Sequence, residues 1–146
     1  MNTTTLVKNV VSMLRPSAIL FLLLTATASS AQVSDRLLNA IEQVESHGNA
    51  SAIGDQGRAL GSMQIWQAVI TDANRIAHTS YSHADAFDRT KARSIASIYL
   101  NYYGKRIGHE PTNQDYARIW NGGPSGHRKS VTLGYWNKVK KELAKQ

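Results

Sequence analysis

Apolar residues recur every three or four positions in five segments of the chain, which is the spacing of helices that bury one face. The first predicted helix begins at Asp35 and ends at Glu45. The same spacing predicts four more helices: 62–76, 88–104, 111–120 and 133–143. The pattern therefore predicts a single small domain that is mostly helical.

Residues that begin and end helices stand at the borders of these segments. Ser34 or Asp35 can cap the first helix, and Thr112 and Asp115 have the spacing of a capping box. The segment 48–61 contains several glycines and is predicted to form a loop or a short β-hairpin. The predicted fold is thus mostly α with a small β element after the first helix.

The N-terminal segment 1–31 differs from the rest of the chain. It carries basic residues and no acidic residue, followed by an apolar run at 18–28 and small residues before Gln32. These features predict a secretory signal peptide that is cut after Ala31, with a cut after Ala28 as an alternative. Eleven helical residues rise about 16 Å, too little to cross a hydrocarbon core of about 30 Å. An uncleaved anchor at the membrane surface is the remaining alternative, and the predicted domain is 32–146.

The composition of the whole chain limits the kinds of site and partner that this protein can have. The 146 residues include 17 Lys and Arg, 10 Asp and Glu and no Cys, giving a formal net charge of +7. The absence of Cys excludes disulfide scaffolds, thiolate metal sites and cysteine nucleophiles. A basic exported protein without disulfides favours a bacterial envelope, either the periplasm or the extracellular space. The charge favours anionic partners, namely wall polymers, nucleic acid or lipid head groups.

Two acidic residues are candidates for catalysis. Glu45 follows Ile41 by four residues and Leu38 by seven, so it falls on the apolar side of its helix. A carboxyl group there needs a partner or a raised pKa, and a raised pKa suits a proton donor. Asp55 lies in a glycine-rich, polar stretch that keeps a carboxylate ionised. Such a pair fits glycoside cleavage, although a solvated Glu and a turn-forming Asp would look the same.

Three segments together resemble the lysozyme-like superfamily. The segment 41–65 (IEQVESHGNASAIGDQGRALGSMQI) is similar to the catalytic segment of soluble lytic transglycosylases and goose-type lysozymes. The segment 95–105 (IASIYLNYYGK) is similar to a helix of the transglycosylase domain. The segment 117–139 (ARIWNGGPSGHRKSVTLGYWNKV) looks more like invertebrate-type lysozymes. The resemblance covers most of 37–139 in the right order and implies an α+β lysozyme-like fold.

The resemblance also implies an activity and a set of site residues. It implies cleavage of peptidoglycan glycan strands with no cofactor or metal, either by a muramidase or by a lytic transglycosylase. Glu45 matches the general acid, and Asp55 matches the second carboxylate of invertebrate-type lysozymes, which transglycosylases lack. The positions that match cleft-lining residues are Ser62, Gln64, Trp120 and Asn121. The chain departs from invertebrate-type lysozymes in having no Cys, so its core must hold without disulfides.

The aromatic residues and the histidines do not by themselves indicate a binding site. Five aromatic residues follow helical spacing and are predicted to lie in the core: Trp66, Tyr99, Tyr102, Tyr116 and Trp136. Among the histidines only His78 and His83 are close in sequence, which does not indicate a metal site. No nucleic-acid recognition motif is present, and the predicted protein is a monomer. A wall-binding module without catalytic activity is the alternative from another class.

Overall fold

The structure is a computed structural model that describes residues 32–146. The predicted signal peptide at 1–31 lies outside these residues. Five helices and three two-residue strands form the fold: α1 (Asp35–Ser46), β1 (Ile53–Gly54), β2 (Ala59–Leu60), β3 (Ile65–Trp66), α2 (Gln67–Ala77), α3 (Arg89–Gly104), α4 (Asn113–Gly122) and α5 (Leu133–Leu143). The strands form an antiparallel sheet in the order β1-β2-β3. The predicted mostly helical fold with a small hairpin element is confirmed.

Four of the five predicted helices form where the periodicity placed them. Ser34 caps α1 through its hydroxyl, Asp88 caps α3, and Thr112 with Asp115 forms the predicted capping box of α4. The prediction of a helix from residue 62 is wrong, because α2 begins only at Gln67. The preceding residues turn through a left-handed Gln64 and then form β3.

The helices share one core, on which the small sheet rests. α2 packs on α3, and α5 packs on both α1 and α4. The core is made of fully buried aliphatic side chains such as Leu37, Ile41, Ile70, Ile95 and Leu100. The sheet carries the chain from the end of α1 to the start of α2, and the turn between β2 and β3 accepts a hydrogen bond from Ser46 of α1 at the carbonyl oxygen of Ser62. The last turn of α1 is thereby bonded to the turn between β2 and β3.

A charged cluster is centred on Glu42, which is only 1% exposed. Its carboxylate accepts hydrogen bonds from the guanidinium groups of Arg89 (2.7 Å) and Arg93 (3.0 Å) and from the hydroxyl of Ser62 (2.8 Å). Arg93 also pairs with the carboxylate of Asp35 at 2.9 Å. Burial alone would raise the pKa of Glu42, but the hydrogen bonds from Arg89 and Ser62 hold it below its usual range. The cluster joins α1 to α3 and to the hairpin.

We expect Arg93→Ala to lower the free energy of unfolding by about 3 kcal/mol at pH 7, because it removes one partner of a buried carboxylate. Since the pKa of Glu42 is lowered, its contribution is present above the unfolded value of 4.5 and is lost as the pH falls through the folded value. The difference between parent and variant should therefore shrink in acid. Urea unfolding at several pH values measures it.

The matched control is Lys145→Ala, which breaks the exposed ion pair between Lys145 and Glu142. Exposed pairs contribute about 1 kcal/mol or less, so this variant should unfold nearly as the parent does. Equal losses in the two variants would show that the Glu42 cluster does not stabilise the fold.

Candidate active site

A cleft of about 690 Å³ opens between the hairpin and α2 on one side and the end of α4 on the other. Five of the six residues that the sequence analysis singled out line it: Glu45, Asp55, Gln64, Trp120 and Asn121. They come from the last turn of α1, the turn after β1, the approach to β3 and the end of α4. The fold therefore brings together residues that are up to 76 positions apart in the sequence.

Ser62 is the exception. Its side chain is fully buried, and its hydroxyl donates to Glu42 rather than facing the cleft. Its carbonyl oxygen accepts a hydrogen bond from the hydroxyl of Ser46 at 2.8 Å. The structure thus contradicts the expectation that Ser62 lines the cleft. Ser62 matches the motif by position, but its role in this structure is to bond to Glu42 and Ser46 near the end of α1.

Glu45 occupies the last turn of α1, which ends because His47 adopts a left-handed conformation (φ 55°). The half-buried carboxylate accepts a hydrogen bond of 2.6 Å from the hydroxyl of Tyr135. Burial raises the pKa of the Glu45 carboxyl, and the charge of Asp55 raises it further. The interactions with Tyr135 and Trp120 oppose the shift without cancelling it. Glu45 also lies near the C-terminal end of α1, where the helix dipole disfavours the ionised carboxylate.

Asp55 lies in a different environment, on an exposed turn after β1. Its backbone is left-handed (φ 46°), as is that of the next residue, Gln56 (φ 57°). Both the backbone N–H and the Nε of Arg58 donate to the carbonyl oxygen of Asp55, at 3.3 and 3.0 Å. Two successive non-glycine residues in this region are strained, and the bonds from Arg58 hold the turn in place.

Gln64 lines the cleft next to Gly54, the residue before Asp55. It too is left-handed (φ 50°), and its Nε2 donates to the carbonyl oxygen of Gly61 at 3.0 Å. A Cβ on Gly54 would lie 2.0 Å from the side-chain oxygen of Gln64. A larger residue at position 54 would therefore displace the side-chain amide of Gln64.

The opposite wall is formed by the end of α4. Trp120 is half-buried and meets Tyr99 edge to face, with ring centroids 6.1 Å apart. Asn121 is exposed beside it, where the helix gives way to Gly123 and Pro124. An apolar wall with one exposed amide suits a ligand that has both apolar faces and polar groups.

Two residues that line the cleft, Asp72 and Trp66, and one that bonds to Glu45 from behind it, Tyr135, were not predicted as site residues. Tyr135 was given no role, although a buried tyrosine hydroxyl needs a partner and so points to a polar group nearby. Asp72 lines the cleft on α2, where its carboxylate accepts from the hydroxyl of Tyr103 at 2.7 Å and from Arg75 at 2.8 Å. Trp66 was predicted to lie in the core, but it is 42% exposed and lines the cleft.

Among residues 32–146, no three His, Asp or Glu side chains come together as a metal site would require. His83 instead has its Nε2 2.8 Å from the carbonyl oxygen of Ile65. Within the same range no helix is both long enough and apolar enough to span a membrane.

We expect Tyr135→Phe to move the basic limb of the rate–pH profile of this site to higher pH. The hydrogen bond from Tyr135 lowers the pKa of Glu45, so its loss raises that pKa and keeps the carboxyl protonated to a higher pH. The profile of kcat/KM measures the shift in the free enzyme. Tyr102→Phe, a change on α3 outside the lining of the cleft, is the control and should leave the profile unmoved. A shift to lower pH would contradict the assignment.

Comparison with known proteins supports one family. Residues 23–142 match the family model described as the transglycosylase SLT domain. The chain is 35% identical over 133 residues to a lysozyme of Ostrea edulis, covering 86% of this chain and 95% of that protein. It is 32% identical over 111 residues to a lysozyme of Meretrix lusoria, covering 75% of this chain and 89% of that protein.

Solved structures agree with this result. The inhibitor-bound lysozyme of Meretrix lusoria superposes with a TM-score of 0.66 at 32% identity, covering 75% of this chain and 89% of that one. The lysozyme of Tapes japonica gives a TM-score of 0.64 at 25% identity, covering 74% and 89%. The fold and the family that the sequence resemblance implied are thereby confirmed. The chain belongs to the transglycosylase SLT domain family, with a lysozyme-like fold and lysozymes among its relatives.

Proposed function

We propose that this protein is a muramidase, which hydrolyses the β-1,4 bond between N-acetylmuramic acid and N-acetylglucosamine in peptidoglycan. The observation that carries the proposal is the pairing of two carboxyl groups in unlike environments within one cleft. Burial raises the pKa of Glu45, whereas Asp55 stands on an exposed turn. Glycoside cleavage needs such a pair, with one group protonated and the other ionised.

In the proposed mechanism Glu45 donates its proton to the glycosidic oxygen as the bond to the muramic acid carbon breaks. Asp55 opposes the positive charge that develops on the sugar ring, either as a nucleophile or through its field. Glu45, now ionised, then takes a proton from water as the water attacks that carbon. Tyr135 orients the carboxyl group of Glu45 throughout. These steps use no cofactor or metal.

A lytic transglycosylase is the second candidate, and the match to the SLT domain model favours it. In that reaction the 6-hydroxyl of muramic acid replaces water as the attacking group. Glu45 acts first as the acid and then as the base, and the product carries a 1,6-anhydro ring. Asp55 favours hydrolysis, because it lies close enough to Glu45 for its charge to raise the pKa of that carboxyl, whereas the other carboxylate of the cleft, Asp72, is bonded to Tyr103 and Arg75.

A wall-binding module without activity is the candidate from another class. Holding Glu45 half-buried costs stability at neutral pH, since its raised pKa means that the ionised form is disfavoured. A module that only binds gains nothing from that cost. Binding of insoluble wall by Glu45→Gln, with no turnover by the parent, would support this candidate.

Mass spectrometry of the fragments released from purified peptidoglycan tests the proposal, with Glu45→Gln as the control. Reducing muramic acid ends from the parent alone would support the hydrolase. Products lighter by one water would show a transglycosylase and leave Asp55 as a turn residue. No fragment from either protein would overturn both enzymatic candidates.

The site of action is also proposed. The pattern of 1–31 supports export to a bacterial periplasm or the extracellular space, with 32–146 as the catalytic domain and peptidoglycan as the partner. N-terminal sequencing of the exported protein distinguishes a start at Gln32 from a start at Ser29. We further propose that the protein acts as a monomer and does not bind nucleic acid, which sizing chromatography and DNA binding at about 0.2 M salt test.

A further inference from the structure

Trp66 is a large aromatic side chain that the fold leaves exposed in the cleft. It is 42% exposed, and it does not belong to the core cluster. The neighbouring residue Ile65 is fully buried, so alternation along β3 directs Trp66 outward. Five large apolar side chains are exposed in the described part of the chain, and Trp66 alone among them lines the cleft.

The indole is held in place by Arg58. The guanidinium carbon of Arg58 lies 4.9 Å from the centroid of the indole ring, within the range of a cation–π contact. The same side chain donates from Nε to the carbonyl oxygen of Asp55 at 3.0 Å. Arg58 therefore contacts the indole and the strained turn of Asp55 at once. An aromatic ring fixed by a neighbour loses little conformational entropy when a ligand packs against it.

The chemistry of a glycan strand fits such a ring. The faces of a β-1,4-linked glucosamine ring are covered with C–H groups, whereas its hydroxyl and amide groups point outward along the rim. An exposed indole offers a flat apolar surface that removes one such face from water. The carboxylate of Asp72, on the next turns of α2, can accept hydrogen bonds from the rim of a sugar.

We propose that Trp66 is a stacking platform for one sugar ring of the glycan, and that Arg58 is a positioning residue that links this platform to Asp55. The inference rests on the proposed function, because it takes the glycan strand as the ligand of the cleft. It goes beyond that function by assigning one wall of the cleft to substrate recognition. A ring bound on Trp66 would press on Arg58 and so restrain the turn that carries Asp55.

Binding of an N-acetylglucosamine hexamer, measured by calorimetry in the Glu45→Gln background, tests the platform. We expect Trp66→Ala to raise Kd about tenfold, and Trp66→Phe, which keeps a flat ring, to stay within about threefold of the parent. Phe87→Ala removes another exposed aromatic side chain (38% exposed) that does not line the cleft, and it should leave Kd unchanged. A Trp66→Ala variant that is folded and binds as tightly as the parent would overturn the proposal.

Turnover of purified peptidoglycan tests the positioning role of Arg58. Arg58→Ala should raise KM and lower kcat about tenfold, because it frees both the indole and the Asp55 turn. Arg58→Lys keeps a cation near the indole but lacks the Nε–H group, so we expect it to restore KM and not kcat. Equal rescue of both constants, or of neither, would overturn the link between the two residues.

These results separate the inference from the proposed function. A parent that releases no fragments from peptidoglycan would overturn the proposed function, whereas the binding measurements would still decide on the platform. Conversely, an active parent with a Trp66→Ala variant of unchanged Kd would retain the function and remove the platform.

Discussion

Replacing Glu45 by Gln is expected to lower the rate of peptidoglycan cleavage by about three orders of magnitude. General acid catalysis contributes about 10²- to 10⁴-fold, and the amide of Gln cannot donate a proton to a leaving oxygen in this way. The amide oxygen can still accept the hydrogen bond from Tyr135, so the geometry of the cleft is kept. Release of soluble fragments from purified peptidoglycan, followed over time, measures the loss.

The stability of this variant is an independent control. The pKa of Glu45 is raised in the folded state, so the contribution of Glu45 to stability is present below the unfolded value of 4.5 and is lost as the pH rises through the folded value. Gln does not ionise and avoids that loss. Glu45→Gln should therefore be at least as stable as the parent at pH 7, with no such advantage at pH 4. A variant that cleaves at the parental rate would remove Glu45 from the mechanism.

Asp55→Asn is expected to lower the rate of hydrolysis by about 10²-fold or more, because it removes the charge that opposes the developing cation. The variant should also shift the basic limb of the rate–pH profile to lower pH, since the charge of Asp55 raises the pKa of Glu45. Rates and profiles measured on the same peptidoglycan give both effects. The shift is the sharper result, because a purely structural defect at the turn would lower the rate without moving the profile.

Asp35→Asn is the matched control, since it removes one negative charge from an exposed carboxylate outside the cleft. It should keep the parental rate and profile. If Asp55→Asn behaves like Asp35→Asn, the two-carboxylate hydrolase is wrong. The transglycosylase, in which Glu45 works alone, would then be the better description of the site.

Periodicity predicted four helices well, and three of them have a local signal at their start. Ser34, Asp88 and Thr112 cap helices whose apolar residues follow at helical steps. The same rule failed at 62–66, where Met63 and Trp66 fall at helical spacing by coincidence. There the left-handed backbones of Gly61 (φ 75°) and Gln64 (φ 50°) turn the chain into a strand, and no periodic signal reveals such a conformation.

In the site too, features encoded within one helix could be predicted from the sequence, whereas contacts between distant segments could not. The partial burial of Glu45 could be predicted, because the spacing of apolar residues within α1 places it on the apolar face of that helix. Glu42 lies on the same face, four residues after Leu38, and was missed as a buried group. Its partners Arg89 and Arg93 are 47 and 51 residues away, and only the packing of α1 on the start of α3 brings them together. Pairings at such distances leave no pattern in a single sequence.

Glu42 and Glu45 lie one turn apart on α1, yet their environments move their pKa values in opposite directions. Hydrogen bonds from two arginines outweigh burial at Glu42, whereas the weaker interactions at Glu45 do not. Glu42 is fully buried and has a lowered pKa, whereas Glu45 is half-buried and has a raised pKa. The difference lies in the hydrogen-bond partners, because guanidinium groups bond to Glu42 and the hydroxyl of Tyr135 bonds to Glu45.

The cluster around Glu42 also makes the stability of this fold depend on pH. The chain has no Cys, so none of its long-range connections is a covalent bond that a thiol reagent could open. Its elements are instead joined by packing and by a buried ion cluster, whose contribution fades as Glu42 takes up a proton. Such a protein can complete its fold in a reducing compartment as readily as in an oxidising one. Acid therefore weakens this fold through Glu42, whereas a reducing agent has no disulfide to break.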